Sequence, residues 1–105
     1  MLATTNAALE NALVDQKNAV VVEINACEDG DDLAKVVDLF AMLSPVWSAA
    51  EYGYKATEIR NRIRSKALAM LSSEEDYLST LRKNDRTRRG TEANIAKLNA
   101  IVAAH

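Results

Sequence analysis

The chain has 105 residues, a formal net charge of −2 and a hydrophobic content of 49%. Eighteen residues are Ala and five are aromatic, and one Pro and three Gly leave too little turn chemistry for a β-sandwich or barrel. The sequence contains neither an apolar run of about 18 residues nor a signal-peptide pattern, so we expect a single all-α domain over residues 1–105, soluble and cytoplasmic.

The first predicted helix covers about residues 5–27. Its apolar residues recur at helical spacing and share one face: Leu9, Leu13, Val20, Ile24 and Cys27. The β-branched run at 20–24 is also typical of a strand, but the chain offers no second strand to pair with it. We therefore favour a helix, which the acidic turn at 28–32 is predicted to end, with Gly30 in a left-handed conformation.

The second predicted helix, residues 32–43, has the clearest amphipathic pattern and is expected to face the core. Ser44 and Pro45 match an N-cap and a first helical position, so a third helix is predicted to start there and to reach about Leu71. Such a helix would be about 40 Å long, which exceeds what a compact monomer of this size covers. The length therefore predicts a homodimer or small oligomer with intertwined helices.

The last third of the chain completes the predicted bundle. Ser72 or Ser73, followed by acidic residues, forms a capping box for a short fourth helix, and Thr91 caps a final helix to Ala104. Residues 82–90 are polar and end on a glycine, which predicts a loop. The expected fold is thus a small all-α bundle of four to five helices with one long central helix.

No catalytic or metal-binding pattern is present in the sequence. The single His, His105, and the single Cys, Cys27, exclude a nucleophilic triad and a zinc site, and Cys27 is expected to be a buried structural thiol. The acids around Gly30 do not follow the order of ligands in a calcium loop, and no glycine-rich phosphate loop exists. We therefore expect a protein that is not an enzyme and that needs no cofactor.

Charge is distributed unevenly along the chain. Residues 1–53 contain nine acids and two bases, whereas residues 54–105 contain six acids and eleven bases. Expected helical pairs of Glu51 with Lys55 and of Glu58 with Arg62 leave other bases free for phosphate or an acidic partner. These candidates are Arg60, Arg64, Lys66, Arg82, Lys83, Arg86, Arg88 and Arg89. A solvated loop is the alternative interpretation of residues 82–89.

Two aromatic residues are candidate interface anchors. Trp47 is either core at a helix junction, which we favour, or an anchor in a protein interface, and Tyr52 falls on the predicted core face. Tyr54 falls with Trp47 on nearly the opposite side of the predicted third helix. That pair is a candidate second contact surface.

Three functions remain compatible with the sequence. We favour a helical interaction protein that acts through protein–protein contacts, with itself and with other proteins, and without a membrane partner. The alternatives are a nucleic-acid-binding accessory protein that uses the basic second half, and an inhibitor that blocks another macromolecule through the acidic first half. The size and composition also suit an accessory protein of bacteria or phages.

Overall fold

The computed structural model describes the backbone of residues 2–83 and 85–105 and, within these, the side chains from Ala8 onward. This part of the chain forms four α-helices and no strand. They are α1 (Leu2–Ala26), α2 (Gly30–Ala49), α3 (Tyr54–Thr80) and α4 (Arg86–Ala104). The predicted all-α class is confirmed. A long third helix is present as predicted, but its 27 residues are Tyr54–Thr80 and not 45–71.

The predicted start of a helix at Ser44 and Pro45 is wrong, because α2 continues through Pro45 to Ala49. Proline removes one helical hydrogen bond, but the helix beyond it carries Trp47 into the core, where the side chain is completely buried. The chain then turns over residues 50–53, and Glu51 adopts a φ of 60°. Burial of one large aromatic ring therefore outweighs the local signal of the proline.

The predicted fourth helix is not separate. The capping box at 72–74 lies inside α3, whose buried stripe runs on through Ala67 to Leu71. The last helix begins at Arg86, five residues before the predicted cap, because the Asp85 side chain accepts a hydrogen bond from the Thr87 amide at 2.9 Å. Residues 86–90, predicted as a loop, therefore form the first turns of α4.

Contacts between side chains establish the directions of the helices. Lys17 lies 3.8 Å from Glu58, and the Lys66 ammonium donates to the Asn25 carbonyl at 3.3 Å, so α1 and α3 run parallel. The Gly30 amide donates to Asn94 Oδ1 at 2.7 Å at the start of α2. Helices α2 and α3 each contact the other three helices, and the core lies between them.

Two ends of the molecule extend beyond this core. Residues 8–12 of α1 are exposed on every face, and residues 2–12, which we call the α1 arm, reach about 16 Å past the level of Tyr54. At the other end, α3 continues past the level of Ala26 for about 20 Å and forms a two-helix hairpin with α4. The molecule therefore measures 66 × 21 × 16 Å.

None of the helices in the described residues combines the length and the hydropathy that a bilayer span requires.

Candidate interaction surfaces

Trp47 is a core residue and not an exposed anchor. Its indole lies edge-on to Phe40 and to Tyr52, with ring centroids 5.8 Å apart in both pairs. Its Nε1 donates to Gln16 Oε1 at 3.0 Å, which explains why a polar residue interrupts the apolar stripe of α1. The favoured interpretation of Trp47 as core is confirmed, and this side chain is not accessible as an interface anchor in the folded chain.

Tyr54 stands apart from Trp47, since the two residues lie on different helices. Its side chain is 69% exposed at the start of α3, packs edge-on against Tyr52 at 5.5 Å, and lies 5.4 Å from the Lys55 ammonium. The predicted joint surface of Trp47 and Tyr54 is therefore wrong. Tyr54 alone remains available to a partner at that end of the molecule.

Three basic residues of α3 that the sequence predicts to be free are engaged within the fold. Arg64 donates to the Val102 carbonyl at 2.9 Å and Lys66 to the Asn25 carbonyl, so each meets the carboxyl end of a neighbouring helix. Arg60 lies 5.9 Å from the Phe40 ring. These cations hold helices together, which weakens their case as phosphate ligands.

Glu58 is the centre of an ion-pair network on the same helix. Its carboxylate lies 3.8 Å from Arg62, as predicted, 3.6 Å from Lys55 and 3.8 Å from Lys17 of α1. The predicted pair of Glu51 with Lys55 is absent from the described residues, because Glu51 lies in the turn before α3 begins. One carboxylate thus compensates three cations near the start of α3.

The other five predicted basic candidates lie at the free end of the α3–α4 hairpin. This basic tip consists of Arg82, Lys83, Arg86, Arg88 and Arg89. Arg88 forms an ion pair with Glu92 at 3.0 Å. Among the residues that the structure describes, the other four cations have no acid within ion-pair distance. The basic residues that are contiguous in the sequence thus lie together at one end of the fold, but three of the five are in α4 and not in a loop.

Cations at this position oppose the α4 dipole. The first turn of α4 contains no acid and begins with Arg86, whereas helices usually place acids at the amino end. Asp85 alone compensates, and its hydrogen bonds to the Thr87 hydroxyl and amide lower the pKa of its carboxyl. The basic tip therefore places positive charge where the helix dipole favours negative charge.

The acidic turn between α1 and α2 is largely consumed by capping. Asp29 accepts from the Asp32 amide at 2.8 Å and is the N-cap of α2, and Asp32 accepts from the Glu28 amide at 3.1 Å. Asp31 pairs with Lys97 of α4. No group of acids, histidines or cysteines in the described residues is arranged to hold a metal ion.

Gly30 has a role different from the predicted one. It is the first residue of α2, and its φ is not positive. A Cβ at this position would lie 2.7 Å from Asn94 Oδ1, so the absence of a side chain allows α2 and α4 to meet.

A stripe of exposed apolar residues on α2 was not predicted. Leu39, Met42 and Val46 follow one another at intervals of three and four residues, and Met42 is 73% exposed. The same spacing is visible in the sequence beside the buried stripe, so apolar residues on two sides of one helix were an available signal. We call this surface the α2 outer stripe.

His105 does not stand free at the end of α4. It is half-buried beside Arg60, Phe40 and Pro45, and its Nδ1 has no hydrogen-bond partner in the described residues. Burial, and secondarily the Arg60 charge, lower its pKa. Ser44 is the one residue with a hydroxyl side chain among those that line its cavity.

Comparison of the chain with protein-family models, with curated proteins and with solved structures gives no match.

Proposed function

We propose that the chain is a helical interaction protein without enzymatic activity, which associates with copies of itself. The carrying observation is its surface area of 7050 Å². A compact monomer of this mass exposes about 5,800 Å², so the excess is about 1,200 Å². A stable interface buries about 800 Å² on each partner. The excess is therefore of the size that association removes.

The elongated shape of the molecule accounts for this excess surface. The radius of gyration is 17.3 Å, against about 13 Å for a compact chain of this length. The exposed apolar side chains include the α2 outer stripe and Leu9 of the α1 arm, which is 49% exposed. Contacts with further copies would cover such surfaces and remove the energetic penalty of their hydration.

Light scattering coupled to size-exclusion chromatography tests this proposal. We expect the mass to exceed that of one chain and to rise with concentration from the low to the high micromolar range. A mass equal to one chain throughout that range would contradict self-association.

A second candidate function, binding of nucleic acid, is favoured by one observation. Four cations of the basic tip are exposed and have no acid within ion-pair distance among the described residues. Each phosphate that a cation neutralises releases counterions, so binding through the tip would weaken steeply with salt. Arg60, Arg64 and Lys66 are not part of this candidate, because they contact other helices.

Fluorescence anisotropy with labelled single- and double-stranded oligonucleotides tests the second candidate. Replacing Arg86 and Arg89 by Gln should lower the slope of log affinity against log salt by about two. The matched control replaces Lys35 and Arg62, which are exposed elsewhere. Equal affinities for the two double variants, or no binding at low salt, would exclude the tip as a nucleic-acid site.

A further inference from the structure

The two ends of the molecule are complementary in shape. One end is the α1 arm, a single helix of about 16 Å, and the other is the hairpin of α3 and α4, which extends about 20 Å. Between the two hairpin helices runs a groove, which we call the α3–α4 groove, lined by Tyr77, Thr87, Gly90, Thr91 and Asn94. Helix α3 contacts α1 and α2 within the molecule, whereas residues 72–80 of α3, at the hairpin end, include no buried side chain.

The floor of the groove admits a helix at short distance. A Cβ built on Gly90 meets nothing within 4 Å, so the α4 backbone is open to an approaching chain. Tyr77, 47% exposed, forms an apolar wall. The α1 arm offers two small residues, Ala8 and Ala12, on one side of Leu9. A large side chain beside two alanines suits a narrow groove with a glycine in its floor.

Charge determines which way the arm enters. The groove is lined by three acids, Asp29, Asp31 and Glu74, and by one base, Lys97, which pairs with Asp31, so its lining remains net negative. Asp29 and Asp31 lie at its inner end, where the start of α2 meets Asn94. Residues 2–9 of the sequence carry no charged side chain, and α1 has no acid in its first turn. The positive end of the α1 dipole is therefore best placed against these acids. The arm would thus point toward the body of the molecule that receives it.

A second pair of charged surfaces meets in this orientation. When the arm enters the groove from the free end of the hairpin, the basic tip approaches the root of the arm on the other copy. That region carries Glu10, Asp15 and Glu51, which are exposed. In a two-fold dimer that exchanges arms, the arm would instead run in the opposite direction and direct its positive end toward the basic tip.

We propose that the α3–α4 groove binds the α1 arm of a second copy of this chain, so that molecules join head to tail. This inference rests on the proposed self-association and adds its surface and its direction. A head-to-tail contact leaves one groove and one arm free at the two ends of every complex. Growth therefore continues into longer chains or closes into a ring, and does not stop at a dimer.

Disulfide trapping tests the contact directly. A Leu9→Cys protein is mixed with a Gly90→Cys protein and oxidised; the native Cys27 is buried and stays out of the reaction. We expect a crosslinked pair that contains one chain of each variant, and little crosslinking of either variant alone. Preferential crosslinking of Leu9→Cys chains to each other would show paired arms and would overturn the proposal.

Two substitutions test it by mass. Gly90→Phe fills the groove, where the structure leaves open space, and Leu9→Glu places a charge on the arm. Each should weaken self-association about tenfold or more, because a blocked floor or a desolvated carboxylate opposes docking. The controls are Gly90→Ala, which leaves most of the groove open, and Val22→Glu, at an exposed position on the body of α1. Thermal unfolding establishes that each variant is folded.

The outcomes separate the two proposals. If the native protein associates and both substitutions leave the association unchanged, the arm-in-groove contact is wrong and self-association through another surface stands. A native protein that stays monomeric removes both proposals together.

Discussion

At the residue scale, one hydrogen bond explains a polar residue in the core stripe of α1. Gln16 accepts from the indole of the buried Trp47. Gln16→Ala leaves that N–H without a partner, so we expect a loss of about 1–3 kcal/mol in the free energy of unfolding. Denaturant titration followed by the emission of the single Trp measures it.

A matched substitution separates this hydrogen bond from helix propensity. Asn18→Ala changes an exposed residue two positions later on the same helix. If both variants shift the unfolding midpoint equally, the bond between Gln16 and Trp47 contributes nothing specific.

His105 predicts a dependence of stability on pH. Its pKa in the folded protein lies below the value of 6.5 that applies to the unfolded chain. The unfolded state therefore binds more protons as the pH falls through about 6.5, and the contribution of the neutral imidazole to stability is lost on acidification. We expect the melting temperature to fall more between pH 7.5 and 5.5 in the native protein than in His105→Gln. Identical pH profiles would contradict this assignment.

At the scale of helices, two glycines should respond in opposite ways to the same substitution. Gly90→Ala adds a methyl group in open space within α4 and should stabilise the fold by about 1 kcal/mol. Gly30→Ala places its Cβ against Asn94 and strains the hydrogen bond to that side chain, so a loss of about 1 kcal/mol is expected. Thermal or chemical unfolding measures both, and changes of the same sign would refute the contact between α2 and α4.

The helix scale also shows what the sequence could predict. The fold class and a long third helix follow from apolar spacing, and Leu33, Val36 and Phe40 are buried as the period requires. The predicted stripe of α1 is buried from Leu13 onward, but its first member, Leu9, is exposed. The helix boundaries did not follow. Pro45 is a strong local signal, but Trp47 is buried beyond it, and this burial keeps α2 continuous. The capping box at 72–74 is also a strong local signal, yet α3 continues past it to Thr80, and no residue of 72–80 is buried.

The surfaces were less predictable than the helices. The basic cluster at 82–89 was visible because its charges are contiguous. The engagement of Arg64 and Lys66 was not, because their acceptors are backbone carbonyls 38 and 41 residues away in the chain. Their hydrogen bonds become visible only when the ends of α1 and α4 are seen packed against α3.

At the scale of the whole molecule, stability should be lowest at its two ends. Residues 8–12 of the α1 arm are exposed on every face, and the hairpin end buries few side chains, among them Leu71 and Thr91. Residues between these ends, such as Val20, Ile63 and Leu98, are completely buried. In dilute solution we expect amide hydrogens of residues 8–12 to exchange at least about tenfold faster than those of residues 20–24.

Hydrogen exchange at two protein concentrations adds a comparison. If these surfaces meet in the assembly, a higher protein concentration should slow amide exchange in the arm and the groove and leave it unchanged elsewhere. Equal exchange rates for residues 8–12 and 20–24 in dilute solution would contradict the lower stability expected of the arm.

The buried thiol of Cys27 provides a natural reporter of local opening. Its Sγ donates to the Glu23 carbonyl at 3.1 Å, and burial, followed by the nearby Asp32 charge, raises its pKa. The reactive thiolate is therefore scarce and shielded while the corner between α1 and α2 is closed. The rate at which a thiol reagent labels the native chain therefore depends on how often that corner opens. This rate can be measured without any substitution.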